Sequence, residues 1–167
     1  MGVKASWDGR YFEDFGVGDV YRSRIGRTIS DADNTHFTLL TNNTNQIHFN
    51  ENYASRTEFG RTLVNSALTL AIVAGLAVAD TSENGFALGW DQIMLPNPLF
   101  AGDTLYADSE VLETRASGSR PGWGVIKVRQ RGIKQDGTVV LVMTRSFMVP
   151  SRAAAPARAH FPEPKAK

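Results

Sequence analysis

The spacing of apolar residues changes halfway along this chain. Before residue 80 they fall into short clusters and one long run; from Gly85 onward they alternate or form runs of strand length. Residues 11–15, followed by Gly16-Val17-Gly18-Asp19, predict an edge segment ending in a glycine turn, with a first strand over residues 20–28. Ser30 suits a helix N-cap, Asp31 and Asp33 favour the positive end of the helix dipole, and Phe37 and Leu40 give residues 31–40 an apolar edge. Residues 51–56 read as one or two further helical turns, broken at Phe59-Gly60. The run over residues 63–79 is long and apolar enough to predict a helix buried at the centre of the fold, and Asn65, Ser66 and Thr69 argue against a membrane span.

The second half predicts strands. The first covers residues 86–95 and stops at Pro96-Asn97-Pro98. Residues 104–114 place Leu105, Ala107, Ser109 and Val111 on one face, and residues 124–131 place Ile126 and Val128 opposite Val125, Lys127, Arg129 and Arg131. Asp136-Gly137 then turns the chain into residues 139–149, whose continuous apolar run suits a strand covered on both faces. Beyond Pro150 the Ala, Pro, Arg and Lys composition offers little apolar surface to offset ordering entropy, so a mobile tail is expected over residues 151–167. The layout is α+β: a single domain over residues 1–150 in which an antiparallel sheet wraps a long central helix, the hot-dog arrangement.

Composition narrows the classes of function. At 167 residues and 42% hydrophobic content the chain supports one domain with a real core. Eighteen Lys and Arg against 17 Asp and Glu create no global field for nucleic acid or an anionic membrane, so an anionic ligand needs a local cluster. Cysteine is absent, which removes disulfides and thiolate chemistry and fits a cytoplasmic protein. The first eight residues lack the apolar core of a signal peptide.

Between the two helical segments lies Thr41-Asn42-Asn43-Thr44-Asn45-Gln46-Ile47-His48-Phe49-Asn50. This stretch resembles the D-x-N-P-x-H motif of MaoC-like dehydratases and (R)-specific enoyl-CoA hydratases. His48 falls on the family's histidine and Asn45 on its asparagine, while Asn43 replaces the aspartate and Gln46 the proline. Phe100-Ala101-Gly102-Asp103-Thr104-Leu105 resembles the F-x-G-D-T-L segment that begins a strand in the same family. The resemblance covers residues 11–150. It implies a hot-dog fold, a homodimer or higher homo-oligomer, and hydration or dehydration of a thioester carried by CoA or an acyl-carrier protein, with no cofactor.

Such a reaction needs an oriented water, groups that move its protons, and donors for an enolate oxygen. An imidazole titrates near neutrality, so His48 can give and take the proton. The amide of Asn43 is not basic, so it can orient water and no more. Three readings stay open: His48 shuttles the proton alone; the substrate carries its own carboxylate, as mesaconyl-CoA and β-methylmalyl-CoA do; or the chain is a non-catalytic acyl-CoA-binding subunit. Some hydratases of branched dicarboxylyl thioesters resemble this chain in having the asparagine, which favours the second. A hot-dog thioesterase is a further rival. The family's oxyanion donor is a backbone N–H near the start of the central helix, a place held here by Ser66, with Asn65 beside it; an ordinary helix cap is the competing reading.

The remaining candidates have plainer alternatives. Arg61, next to Gly60, is the first choice for a phosphate or substrate carboxylate; Arg56, Arg115, Arg120, Lys127, Arg129 and Arg131 suit a solvated face at least as well. Asn42, Asn43, Asn45 and Asn50 suit turns, and Trp90 and Trp123 suit sheet packing. His36 is expected to be structural and His160 solvated, and no ligand set for a metal is evident.

Overall fold

A computed structural model of the chain describes residue 4, residues 7–156 and residue 165. Strands β1 (Val20–Arg22), β2 (Arg27–Thr28), β3 (Phe86–Met94), β4 (Thr104–Ala116), β5 (Trp123–Lys134) and β6 (Val139–Pro150) form one antiparallel sheet. Their order is β1-β4-β5-β6-β3, with β2 also paired to β4. Helices α1 (Asp31–Leu40), α2 (Glu51–Ala54), α3 (Ser66–Leu76) and α4 (Val78–Thr81) lie between β2 and β3 in the chain. The sheet curls around α3, which packs on β4, β5 and β6. This is the expected hot-dog arrangement.

The inward faces read from the sequence are buried, although Asp108 and Val125 on the opposite faces are buried as well. Leu105, Ala107, Ser109 and Val111 of β4 and Ile126 and Val128 of β5 all face the interior. One apolar cluster joins Ile29, Leu68, Val73, Leu105, Leu141 and Met143 around α3. A second joins Phe15, Val111, Ile126, Val128, Phe147 and Val149. A polar layer crosses the same face: the Gln130 side chain donates to Ser109 Oγ at 3.1 Å, and buried Arg145 donates to Ser82 Oγ at 2.9 Å. Burial holds the Arg145 guanidinium below its ordinary pKa.

The structure corrects four expectations. The strand expected over residues 20–28 is two short strands, because the Ser23 hydroxyl takes the Ala107 N–H (3.0 Å) and the chain leaves the ladder until Arg27 pairs with Leu105. Residues 11–15 are not an extended edge: Phe12–Asp14 is a 3-10 turn whose phenyl ring occupies space that a Cβ on Gly124 would fill. The central helix begins at Ser66, not at residue 63. Leu63 is extended and bridged to Phe100, and the helical stretch is interrupted at Ala77 before α4 continues to Thr81. Leu40 is 81% exposed, whereas the buried residues of α1 are Asn34 and Thr38.

The F-x-G-D-T-L segment makes a corner. Gly102 has φ +92°, a backbone conformation that costs a residue with a Cβ. Burial works against the Asp103 carboxylate, yet bonds from the Phe100 N–H, Lys134 and Gln135 hold it below the usual carboxylate range. Past β6, the Ser151 N–H donates to Gly122 O at 2.8 Å and Arg152 pairs with Asp14, so residues 151 and 152 stay attached to the body. Most of the expected tail, residues 157–164 with His160 and residues 166–167, lies outside the described residues.

Gly132 sets how closely α3 approaches the sheet. A Cβ there would meet Val73 Cγ2 at 2.5 Å, in the centre of the first cluster. Gly132→Ala is expected to destabilise the protein by about 1–3 kcal/mol through overpacking, and Val73→Ala in the same chain should recover part of that loss in denaturant titrations.

Candidate active site

The site begins at α1. Ser30 Oγ accepts from the Asp33 N–H (3.1 Å) while Asp33 accepts from the Ser30 N–H (2.9 Å), a reciprocal cap that starts the helix in a fixed place. These bonds from Ser30, aided by Arg27, hold Asp33 below the usual carboxylate range. The helix ends at Leu40, and Asn42, at φ +53°, reverses the chain. A series of side-chain caps then builds the motif. Asn43 Oδ1 accepts from the Asn45 N–H (3.0 Å), Asn45 Oδ1 from the Ile47 N–H (3.2 Å), and Asn50 Oδ1 from the Tyr53 N–H at the start of α2 (3.1 Å). Gln46, in the position of the motif's proline, accepts from Asn50 Nδ2 at 2.6 Å. The turn chemistry expected of these asparagines is present in all four, Asn42 through its positive φ and the others through Oδ1, and among the described residues nothing accepts from the Nδ2 group of Asn43.

His48 closes the 3-10 turn Gln46–His48 and is only 7% exposed. Its Nδ1 lies 2.8 Å from the carbonyl oxygen of Leu63. A carbonyl oxygen can only accept, so Nδ1 carries the hydrogen and Nε2 is the nitrogen left to exchange a proton with a ligand. The Leu63 N–H donates back to Ile47 O (3.0 Å), and the Val64 N–H donates to Leu99 O (2.9 Å). The approach to α3 is thereby stitched to the histidine turn on one side and to the Phe100–Asp103 corner on the other.

Asn34, which the sequence reading did not single out, meets this junction from α1. Its Nδ2 donates to His48 O (2.8 Å) and Leu63 O (3.1 Å), and its Oδ1 accepts from the Asn65 N–H (2.8 Å). The available signal was a polar residue four places before Thr38, on a helix whose apolar residues do not define a single inward stripe.

Ser66 is the first residue of α3 and is exposed. Among the described residues nothing accepts from its N–H, as expected for a first-turn amide. It lines a cleft of about 290 Å³ with Leu63, Thr69, Leu95, Pro98 and Val140. Leu63 therefore connects this cleft to His48. Asn65, expected beside Ser66 at the substrate, instead turns both polar groups of its side chain inward: Oδ1 caps the Ala67 N–H (2.9 Å) and Nδ2 donates to Thr38 (3.2 Å). The helix-cap reading applies to it.

Arg61 is not brought to that cleft. It stacks 4.0 Å over the Phe100 ring and faces a separate cleft that Asp31 and Glu51 also line. Most of the other basic candidates have partners in the fold. Arg131 grips Asp108 through two bonds, Arg129 pairs with Glu110, Arg120 stacks on Trp123, and Arg56 donates to Asn52 O. Trp123 packs beside Phe86, whereas Trp90 is 43% exposed on β3; His36 is exposed on α1.

A sequence profile of the family described as mesaconyl-CoA hydratase matches residues 3–160. A mesaconyl-CoA hydratase from Cereibacter sphaeroides is 33% identical over 153 residues, which cover 90% of this chain and 44% of that protein. A β-methylmalyl-CoA dehydratase from Chloroflexus aurantiacus is 32% identical over 123 residues, covering 71% of this chain and 34% of that protein. The chain thus spans less than half the length of these curated relatives. Among solved structures, a MaoC domain protein from Chloroflexus aurantiacus superposes with a TM-score of 0.84 at 29% identity, over 97% of this chain and 47% of that one. A MaoC-like dehydratase from Rhodospirillum rubrum gives 0.77 at 26% identity, over 86% of this chain and 99% of that one. A profile match over nearly all the described residues, on a fold these structures share, makes the chain a member of the mesaconyl-CoA hydratase family.

Proposed function

We propose that the chain catalyses reversible addition of water to a short, branched 2-enoyl-CoA thioester that carries a free carboxylate, of the kind that joins mesaconyl-CoA to β-methylmalyl-CoA. The observation that carries this reading is the 2.8 Å bond between His48 Nδ1 and Leu63 O, which leaves Nε2 as a proton acceptor beside the start of α3. The names of the curated relatives support the substrate class.

In the hydration direction, a water accepts a hydrogen bond from Asn43 Nδ2 and gives a proton to His48 Nε2 as its oxygen bonds to the β-carbon. The electrons of the double bond move through the α-carbon onto the thioester oxygen, where the Ser66 N–H receives the developing charge. His48 then returns the proton to the α-carbon on the same face, so one hydrogen and one hydroxyl are added. Dehydration is the reverse. The neutral amide at position 43 leaves room for the substrate's own carboxylate, which an aspartate there would repel.

A homodimer in the cytoplasm completes the reading. Among the described residues β3 has only β6 beside it, and it presents Phe86, Leu88, Trp90, Ile93 and Met94 to solvent, an apolar edge suited to a second copy. Light scattering of the purified chain should give twice the chain mass; a monomer would remove the dimer.

Mass spectrometry after incubation with mesaconyl-CoA and crotonyl-CoA tests the reaction. Mesaconyl-CoA should gain the mass of one water, whereas free CoA would identify a thioesterase, and neither change would favour a binding subunit. His48→Ala is expected to lower kcat/KM at least ~100-fold, and near-normal turnover would take His48 out of the mechanism. Asn43→Asp should shift preference toward crotonyl-CoA, because it places a carboxylate where the substrate's own is proposed to act. An unchanged preference would remove that explanation of the asparagine.

A further inference from the structure

We infer that Asn34 is a positioning residue for the proposed hydration site, one amide that sets the imidazole of His48 and the first turn of α3 relative to each other. The inference rests on the hydration reading above for its consequence in turnover. Its geometric part stands on the hydrogen bonds alone.

Asn34 is 1% exposed and lies in the first turns of α1, close to the Ser30 cap that fixes the helix start. Both functional groups of its side chain are engaged. Nδ2 donates to the carbonyls of His48 and Leu63, at 2.8 and 3.1 Å, and Oδ1 accepts from the Asn65 N–H at 2.8 Å. Those three contacts belong to the turn that carries the histidine, the carbonyl that orients its ring, and the cap residue that precedes Ser66. Leu63 O accepts from His48 Nδ1 at 2.8 Å as well as from Asn34, so the two donors share one oxygen. The direction of that carbonyl decides where Nε2 points, and Asn34 helps to fix that direction.

Few side chains can do this. The junction asks for two N–H donors and one acceptor on a short planar group, which is the inventory of asparagine. Aspartate would keep the acceptor for the Asn65 N–H, but it would set a carboxylate against two carbonyl oxygens and near an imidazole. Alanine would leave the three backbone groups without their side-chain partner. Leu63 O would keep its bond from the histidine but lose the second donor that holds it in place.

The test uses the full chain as wild type, Asn34→Ala and Asn34→Asp, with folding checked by circular dichroism. The first readout is the ring 15N–1H NMR spectrum of His48, assigned by its loss in His48→Ala. Wild type should show the Nδ1–H tautomer when neutral. Asn34→Ala should show a mixture of tautomers, and Asn34→Asp should raise the pH at which the ring titrates, because a nearby carboxylate favours imidazolium. The second readout is hydration of mesaconyl-CoA: kcat should fall roughly 10- to 100-fold in Asn34→Ala with little change in KM, as for a misplaced catalytic group. The basic rise of its pH profile should move upward in Asn34→Asp. If Asn34→Ala does not fold, Asn34→Asp, which retains the anchor on Asn65, decides the matter through the same ring titration. A His48 spectrum and pH profile unchanged in the folded variants would overturn the positioning role even if activity fell. A wild type that leaves mesaconyl-CoA unchanged while the ring still responds to position 34 would overturn the hydration reading and keep the positioning role.

Discussion

The backbone of residues 63–65 must pass into the interior without leaving its amides and carbonyls unpaired, and the site is organised around that requirement. Each polar backbone group that enters needs a partner, because an unpaired one costs about as much as a lost hydrogen bond. Ile47 O, Leu99 O and Asn34 Oδ1 receive the three N–H groups of the segment. The Leu63 carbonyl is satisfied by Asn34 and by the histidine itself. His48 thus serves two purposes with one bond: it completes the burial of the chain, and it fixes which ring nitrogen carries the hydrogen.

The rest of the fold brings the partners of that segment together. The Ser30 cap sets the start of α1 and thereby the height of Asn34; the glycine corner at Gly102 delivers Leu99 and Phe100; and the asparagine caps over residues 43–50 carry the chain tightly from α1 to α2. Behind these elements, Gly132 allows Val73 to press α3 into the sheet, so the helix that presents Ser66 is held along its length by apolar packing. The hydrophobic contacts provide the bulk of the stability, and the hydrogen bonds select one arrangement of the site.

Local signals were readable in the sequence, and long-range ones were not. The limits of α1 follow from Ser30 and the acidic first turn, β4 and β5 follow from their alternation, and β6 follows from a continuous apolar run that is buried on both faces. The histidine, the asparagine in place of aspartate and the Phe100–Leu105 corner were visible as motif. The start of α3 was hidden because Leu63 and Val64 are as apolar as the helix they precede, and composition does not distinguish an extended apolar residue from a helical one. The split between β1 and β2 depends on one serine hydroxyl replacing a ladder bond with a strand distant in sequence. Asn34 and Asn65 look like any polar helix residues until the carbonyls and amides they meet, far along the chain, are known.

The polar layer across the sheet has a consequence for how its strands find one another. Apolar alternation repeats every second residue, so it forbids a slip of one position but is blind to a slip of two, which returns every side chain to its own face. Ser109 directly opposite Gln130 removes that ambiguity between β4 and β5. A two-residue slip would set Gln130 against Ala107 or Val111 and strand its amide in an apolar interior. Arg145, opposite Val128 on β6 and tied to Ser82 outside the ladder, adds a second mark two residues along β5 from Gln130. These few buried polar atoms act as index marks on an otherwise repeating scale, and they tell the sheet which of several equally greasy alignments is the right one.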